Sequence, residues 1–281
     1  MIIKRYFSED ILNHIKSDFG FLIDKIIRSG FEYDLQIRNN YFNLYYKGNS
    51  IGKISYSTKT QLYKVEIHNK FINKKIKERF TPKEGTYLIF MLRKEQLHPL
   101  FSSKNLSSMA QKVKNVKHQE EIAFEQMIMT DNVKRQDLII IDRQIVDATG
   151  RTKIDLLALT QMQKKDNDYQ FCVIEVKLGN NPELKGAVSG QLKEYINRIS
   201  DNFEDYKKCY EKNFTQKQEL GLFDDPSLKC LKINIVPGVQ GLVVVLGYSG
   251  IAKESIYELK KKDPTIKILH LKNIIDLSKA S

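Results

Sequence analysis

The stretch TKIDLLALTQMQKKDNDYQFCVIEVK, residues 152–177, decides how the second half of the chain folds. It begins and ends with mostly apolar runs of strand length, and a polar loop, Gln161–Asp168, separates the two runs. The pattern predicts two neighbouring strands, Thr152–Leu159 and Tyr169–Lys177. Three ionisable residues interrupt the apolar runs, and they are Asp155, Glu175 and Lys177.

The register of these two strands determines whether the three ionisable residues meet. Side chains alternate between the faces of a strand, so Glu175 and Lys177 share one face. In an antiparallel hairpin, Asp155 joins that face when paired residue numbers have an even sum, for example 330, whereas a sum of 329 places Ile174 opposite Asp155. We predict the even register, because buried charges require partners. A divalent cation between the two carboxylates would remove their mutual repulsion.

The remaining segments of the second half alternate between helical and strand patterns. Apolar spacing and turn residues predict a helix at 118–130, strands at 137–141, 232–236 and 242–248, helices from Pro182 to about Leu220, and a last helix at 251–262. The resulting order αβββαβ is typical of an α/β or α+β domain with a mixed sheet. Within the helical stretch, Gln191 and Tyr195 lie four residues apart and therefore on one face.

These motifs resemble those of the PD-(D/E)XK nuclease superfamily. Asp155 is followed after 19 residues by Glu175-Val-Lys177 and then by Gln191-x-x-x-Tyr195, an order similar to that of its RecB-type and lambda-exonuclease-type branch. The resemblance covers roughly residues 119–250. Ile154 replaces the proline that can precede the first acid, a position that varies within the superfamily.

The resemblance implies a restriction-endonuclease-like fold and Mg²⁺- or Mn²⁺-dependent hydrolysis of phosphodiester bonds. Asp155 and Glu175 would hold the metal, and the main-chain carbonyl of Val176 would add a ligand. Lys177 would orient or deprotonate the attacking water; beside so many carboxylates, we expect it to keep its charge and to polarise the water.

The resemblance also assigns roles on two helices. Glu121 or Glu125, on the first helix, would complete the metal site, although both residues also suit a solvated helix face. Gln191 and Tyr195 would shape the site or touch the phosphate; the alternative is an ordinary surface pair. Arg151 and Lys153, which flank the first acid, are candidates for phosphate contacts or for solvated loop charges.

The chain carries a formal net charge of +12, and all of the excess lies in its first part. Residues 1–117 hold 22 Lys and Arg against 10 Asp and Glu, whereas residues 118–281 hold 24 of each. A basic region joined to a neutral one is typical of a platform for a polyanion. We therefore expect nucleic acid as the partner; a solvated basic surface is the alternative interpretation.

The first part has the patterns of a small basic α/β domain, which we place at residues 1–112, before a nuclease-like domain at residues 113–281. Helical periodicity extends from Ser8 to Gly30, and alternating runs up to Ile67 predict a β-meander. Residues 86–92 form a strand or a buried helix. The basic run 70–79 supplies candidate nucleic-acid-binding residues: Lys74, Lys75, Lys77 and Arg79.

Aromatic residues in the predicted meander allow two interpretations. They are candidates for base stacking, yet strand aromatics more often form the core of a sheet. The tyrosines concerned are Tyr41, Tyr45, Tyr46, Tyr56 and Tyr63.

Composition excludes several other classes of protein. No apolar run approaches the roughly 20 residues that a membrane helix needs, and the N-terminus lacks the apolar stretch of a signal peptide. The three cysteines have no C-x-x-C spacing, and they and the five histidines form no zinc set. We therefore expect a cytoplasmic protein that contacts no membrane.

The sequence thus predicts a Mg²⁺-dependent deoxyribonuclease whose basic domain binds DNA, and DNA is favoured over RNA by the resemblance alone. One alternative is a nuclease-like protein that binds DNA or assembles on it without turnover. Another is a nuclease that acts on RNA or on branched DNA. The pattern leaves open whether the enzyme is an endonuclease or an exonuclease, and whether it is a homodimer.

Overall fold

Two five-stranded sheets organise the part of the chain described by the computed structural model, residues 3–115, 120–146, 153–162 and 167–272. Contacts divide the chain into two compact units. The first consists of Ile3–Gln126 and Lys208–Leu231, and the second of Met127–Lys207 and the residues from Lys232 onward. The predicted boundary between residues 112 and 113 falls inside a helix of the first unit.

The first unit contains an antiparallel sheet and flanking helices, which confirms the predicted combination of helix and antiparallel sheet. Its strands follow one another in the order β1-β2-β3-β4-β5. They are β1 (Tyr33–Ile37), β2 (Tyr41–Tyr46), β3 (Asn49–Ser57), β4 (Leu62–His68) and β5 (Tyr87–Leu92). Its helices up to residue 115 are α1 (Glu9–Asp18), α2 (Gly20–Arg28), α3 (Lys74–Phe80), α4 (Lys94–Leu100) and α5 (Ser103–Lys114), with a 3₁₀ turn at Asn69–Phe71.

The core of the first unit forms around Phe19, which also divides the predicted first helix into α1 and α2. Phe19 is fully buried and meets the rings of Phe42 and Tyr63 edge-on, with centroids 5.1 and 5.3 Å apart. Its backbone leaves the helical region at φ −117°. The break therefore falls at the residue whose ring packs against strands β2 and β4.

A distant segment of sequence completes this core. Leu220 and Leu222 belong to the same cluster of buried side chains as the sheet. The side chain of Gln216 accepts a hydrogen bond from the Phe7 amide at 2.8 Å and donates one to the Phe7 carbonyl at 2.9 Å. Residues 208–231 therefore belong to the first unit although 81 residues, 127–207, separate them from its other part.

The second unit is built on a mixed sheet in the order β10-β9-β8-β7-β6. Strands β6, β7 and β8 are antiparallel to one another, whereas β9 is parallel to β8 and β10 is parallel to β9. The strands are β6 (Leu138–Val146), β7 (Lys153–Gln161), β8 (Asp168–Leu178), β9 (Asn234–Leu246) and β10 (Ile268–Leu271). The predicted mixed sheet is confirmed; β10 was not expected.

The helices of the second half agree closely with the predicted ranges, except for a short one at Pro226–Lys229 that was not predicted. They are α6 (Glu120–Asp131), a 3₁₀ turn at Pro182–Lys185, α7 (Ala187–Asp201), α8 (Phe203–Glu219), α9 (Pro226–Lys229) and α10 (Ser249–Lys262). Helices α6 and α8 each contain the point at which the chain passes from one unit to the other. None of the helices in the described ranges is both long and apolar enough to cross a membrane.

Strand β9 differs from the prediction, which divided it at Pro237-Gly238. The register between β8 and β9 shifts across Gln170, so the strand continues through an irregularity. The side-chain amide of Gln170 donates to the Pro237 carbonyl at 2.7 Å. Gly238 has φ +124°, and a Cβ there would lie 2.2 Å from the Gln170 amide nitrogen. Pro237 and Gly238 therefore form a bulge within β9 and do not end the strand.

Candidate active site

Strands β7 and β8 have the register that the sequence predicts. Leu156 pairs with Ile174 and Gln161 pairs with Tyr169, so paired residue numbers sum to 330 along the ladder. Asp155 and Glu175, one step beyond the first of these pairs, lie on one face. The main-chain amide of Val176 donates a hydrogen bond to Asp155 Oδ2 at 3.0 Å. This contact joins the first acid to the strand that carries the second.

Glu175 is a buried carboxylate whose hydrogen bonding is incomplete. Glu175 is 1 % exposed, and its Oε1 atom has no hydrogen-bond partner among the residues that the structure describes. Burial raises the pKa of this carboxyl strongly, the nearby Asp155 raises it further, and Lys177 opposes both effects. An unpartnered buried oxygen is costly and rare in folded proteins, so the position suits an additional positive ligand.

Lys177 lies between two carboxylates. Its Nζ atom is 3.2 Å from Glu175 Oε2 and 2.8 Å from Glu183 Oε2. Burial alone would lower the pKa of this amine, but Glu175, Glu183 and Asp155 together raise it above its ordinary value. The side chain is therefore held as a cation beside the two acids.

Glu183 was not identified from the sequence. It lies in the 3₁₀ turn Pro182–Lys185, whose first turn is capped by Asn181: the Asn181 Oδ1 atom accepts from the Glu183 amide at 2.9 Å. The available signal was the Asn-Pro-Glu sequence directly after β8, because Asn caps and Pro begins such a turn. That signal gives the local turn but not the direction of the glutamate side chain.

Tyr195 connects helix α7 to the beginning of β7. Tyr195 is 5 % exposed, and its hydroxyl donates a hydrogen bond to the main-chain carbonyl of Lys153 at 3.0 Å. Burial, with the charges of Glu175 and Asp155, raises the pKa of the hydroxyl to about 12, so it stays protonated. Tyr195 thus holds the strand that carries Asp155.

Gln191 lies one turn before Tyr195 on α7, and its buried Oε1 atom has no hydrogen-bond partner within the described ranges. The helix approaches the sheet closely at Gly241, where a Cβ would lie 2.7 Å from Leu192 Cδ2. Two of the unpartnered buried oxygens in the described ranges therefore belong to predicted site residues, Glu175 and Gln191.

Four other predicted site residues remain to be placed, and they are Glu121, Glu125, Arg151 and Lys153. Glu121 and Glu125 lie on α6 within the first unit, and Glu125 is buried there, so their part in a metal site stays a prediction. Arg151 lies outside the described residues. Lys153 is exposed, and its carbonyl accepts the Tyr195 hydrogen bond. Within the described ranges, no group of three or more His, Cys, Asp or Glu side chains is arranged to hold a metal.

The predicted stacking tyrosines divide into two groups. Tyr45, Tyr46 and Tyr63 are buried, as expected for the core of a sheet. Tyr41 and Tyr56 are partly exposed. The basic candidates Lys74, Lys75, Lys77 and Arg79 all lie on α3.

Comparison of the chain with protein-family models, curated proteins and solved structures gave no match. The functional interpretation therefore depends on the chemistry of the site.

Proposed function

We propose that this protein is a metal-dependent nuclease of the PD-(D/E)XK type that hydrolyses phosphodiester bonds of DNA. The main support is the buried Oε1 atom of Glu175, which has no hydrogen-bond partner in the described part of the chain. Glu175 lies on the same face as Asp155 and beside the cationic Lys177. Two acids and a lysine at this spacing suit a hard cation and its bound water.

The donor set fits Mg²⁺ or Mn²⁺, because both prefer oxygen ligands. Asp155 and Glu175 would supply carboxylate oxygens, and Val176 a main-chain carbonyl. When bound, the metal would lower the pKa of a coordinated water and neutralise the charge that develops on the phosphoryl group.

The chain's own residues would orient the reaction. Lys177 remains protonated, so it would donate hydrogen bonds to the attacking water or to a phosphoryl oxygen and would not act as a base. Glu183 would hold the lysine in position, and Tyr195 would hold strand β7 through the Lys153 carbonyl. Gln191, whose buried acceptor oxygen has no partner among the described residues, would complete the wall of the site.

The basic first unit would bind the nucleic acid through its phosphates, a contact that is sensitive to salt and largely independent of sequence. DNA is proposed as the substrate on the resemblance of the motifs. The same proposal places the activity in the cytoplasm, consistent with three free cysteines, two of them buried.

The test is cleavage of linear and circular DNA by the full chain and by Asp155→Asn and Glu175→Gln, with Mg²⁺, Mn²⁺ or EDTA. Both substitutions keep the side-chain shape but remove a negative metal ligand. Each should lower the cleavage rate at least about a hundred-fold, while DNA binding in EDTA stays within about two-fold of the unmodified chain.

Cleavage that persists at the original rate in both variants would exclude this site as the catalytic centre. Salt-dependent DNA binding by the unmodified chain without cleavage in either metal would instead indicate a binding or assembly protein. Products from covalently closed circles would establish endonuclease activity.

A further inference from the structure

A cavity of about 630 Å³ opens between α3 and the beginning of α5 in the first unit. Four basic side chains line it, together with small polar groups and the apolar side chains of Ile76 and Phe80. The basic residues are Lys74, Lys75, Arg79 and Lys104. The volume falls within the range of about 300–1,000 Å³ that is usual for ligand pockets. The sequence did not identify Lys104, because it lies about 25 residues from the basic run.

Three of these cations have no acidic partner within the described ranges. Lys75, Arg79 and Lys104 are exposed and form no ion pair with any carboxylate in the described part of the chain. By contrast, Lys74 Nζ lies 3.6 Å from Glu78 Oε1. Lys77, which does not line the cavity, is also paired, with its Nζ atom 3.7 Å from Glu84 Oε2. Three of the four cations that line the cavity are therefore not paired with an acid in the described part of the chain.

The walls of the cavity are fixed by contacts between its two helices. The side chain of Asn73, the N-cap of α3, donates from Nδ2 to Ser108 Oγ of α5 at 3.1 Å, while its Oδ1 atom accepts from the main-chain amide of Ile76. Lys112 Nζ donates to the Ile72 carbonyl at 2.6 Å. These bonds hold α3 against α5, so the basic side chains converge on a preformed concave surface.

Phe80 gives the cavity an aromatic wall. It is half-buried, and its ring meets Phe90 of the core edge-on with centroids 6.4 Å apart. The Arg79 guanidinium lies 5.4 Å from the centroid of the same ring. An anchored ring beside unpaired cations is the combination that binds a base and its phosphate in single-stranded nucleic acid.

We propose that the α3–α5 cavity binds a nucleotide of a single-stranded nucleic-acid segment. Lys75 and Lys104 contact the backbone phosphates, and Phe80, with Arg79, contacts the unpaired base. This inference rests on the proposed action on nucleic acid and specifies which residues of the basic unit contact the strand and which form of the strand they bind. In a duplex the bases remain paired and stacked, so they cannot enter the cavity.

The experiment measures anisotropy of fluorescein-labelled oligothymidylate and of a labelled duplex, with the full-length Glu175→Gln chain in EDTA so that cleavage is suppressed. The cavity variant is Lys75→Ala/Lys104→Ala. The control is Lys59→Ala/Lys114→Ala, which removes the same charge from two exposed lysines of the first unit that do not line the cavity.

We expect the cavity variant to bind oligothymidylate at least about ten-fold more weakly. Its slope of log affinity against log salt concentration should be less steep by about 1.4, roughly 0.7 for each lost phosphate contact. The control should stay within about two-fold of the parent chain. Phe80→Leu, which keeps an apolar side chain against Phe90, should weaken single-strand binding about ten-fold and leave duplex binding unchanged.

Equal weakening by the cavity and control variants would overturn the proposal, since net charge alone would then explain the binding. Unchanged single-strand binding by Phe80→Leu would overturn it as well. Either result, together with DNA cleavage by the unmodified chain, would leave the nuclease proposal intact. Selective loss of binding in the cavity variants without cleavage by the unmodified chain would support the cavity and contradict the nuclease.

Discussion

At the scale of single residues, the central arrangement is a lysine between two carboxylates of unequal burial. Glu175 is almost entirely enclosed, whereas the side chain of Glu183 is 40 % exposed. Burial and Asp155 already raise the pKa of Glu175, and only Lys177 opposes them, so the inner acid depends on its lysine to stay ionised. The outer acid adds a second anchor on Lys177 and fixes the direction of its amine.

The first prediction concerns Glu183→Gln, which removes the 2.8 Å ion pair and keeps the shape of the side chain. If the nuclease proposal holds, kcat should fall about ten-fold while KM changes less than about two-fold, because Glu183 positions Lys177 and does not contact DNA. Steady-state cleavage assays measure both constants.

A suitable control is Glu194→Gln, which breaks a surface ion pair with Arg198 at 3.2 Å on α7. It should leave kcat and KM unchanged. Equal kcat values for Glu183→Gln and the unmodified chain would show that Glu175 alone positions the lysine.

At the scale of elements, α7 is held to the end of α10 by Asp263. Its Oδ2 atom accepts a hydrogen bond from Ser189 Oγ at 2.6 Å and lies 2.8 Å from Lys193 Nζ. Its Oδ1 atom accepts from Thr265 Oγ1 at 2.7 Å. Because α7 also carries Gln191 and Tyr195, Asp263 helps to fix the wall of the candidate site.

The second prediction follows from the charge of Asp263. Hydrogen bonds from Lys193, Ser189 and Thr265 hold the pKa of this carboxyl well below its ordinary value of 3.8. Its contribution to stability is therefore complete at pH values well above 3.8 and is lost as the pH falls through the lower native pKa. Asp263→Asn should lower the free energy of unfolding by about 1–3 kcal/mol at neutral pH, and this deficit should shrink in acid.

Urea denaturation at neutral and acidic pH measures this difference. Asp201→Asn, at an exposed position at the end of the same helix α7, should show no such pH-dependent deficit. A deficit of Asp263→Asn that stays constant down to the acid transition would mean that the carboxylate charge does not stabilise the contact.

The same scale shows why some elements could be predicted and others could not. The β7–β8 register follows from side-chain alternation around Asp155 and Glu175, so the meeting of the two acids was readable from the sequence. Pro237-Gly238 suggested a break in β9, because a local pattern does not reveal the Gln170 contact that accommodates the bulge. Glu183 was missed for a similar reason, since turns have no periodicity that gives the direction of a side chain.

At the scale of the whole molecule, the first unit is discontinuous in sequence, and composition could not reveal this. The charge pattern changes near residue 117, but residues 208–231 return to the first core through long-range contacts. The sequence around Leu220 and Leu222 does not indicate which of the two sheets these leucines pack against. A linear boundary is therefore a poor description of how this chain divides.

The last prediction tests that division with the fragment 1–126. The fragment keeps all five strands of the first sheet but lacks Leu220, Leu222 and the Gln216 contacts with Phe7. Each lost leucine or buried hydrogen bond costs about 1–3 kcal/mol, and their sum is comparable with the stability of a typical domain, about 5–15 kcal/mol. The fragment should therefore lack a cooperative urea transition and should exchange its amide hydrogens rapidly. Adding residues 208–231 through a flexible linker should restore the transition. A fragment 1–126 that unfolds cooperatively by itself would show that the antiparallel sheet and its helices form a self-sufficient core.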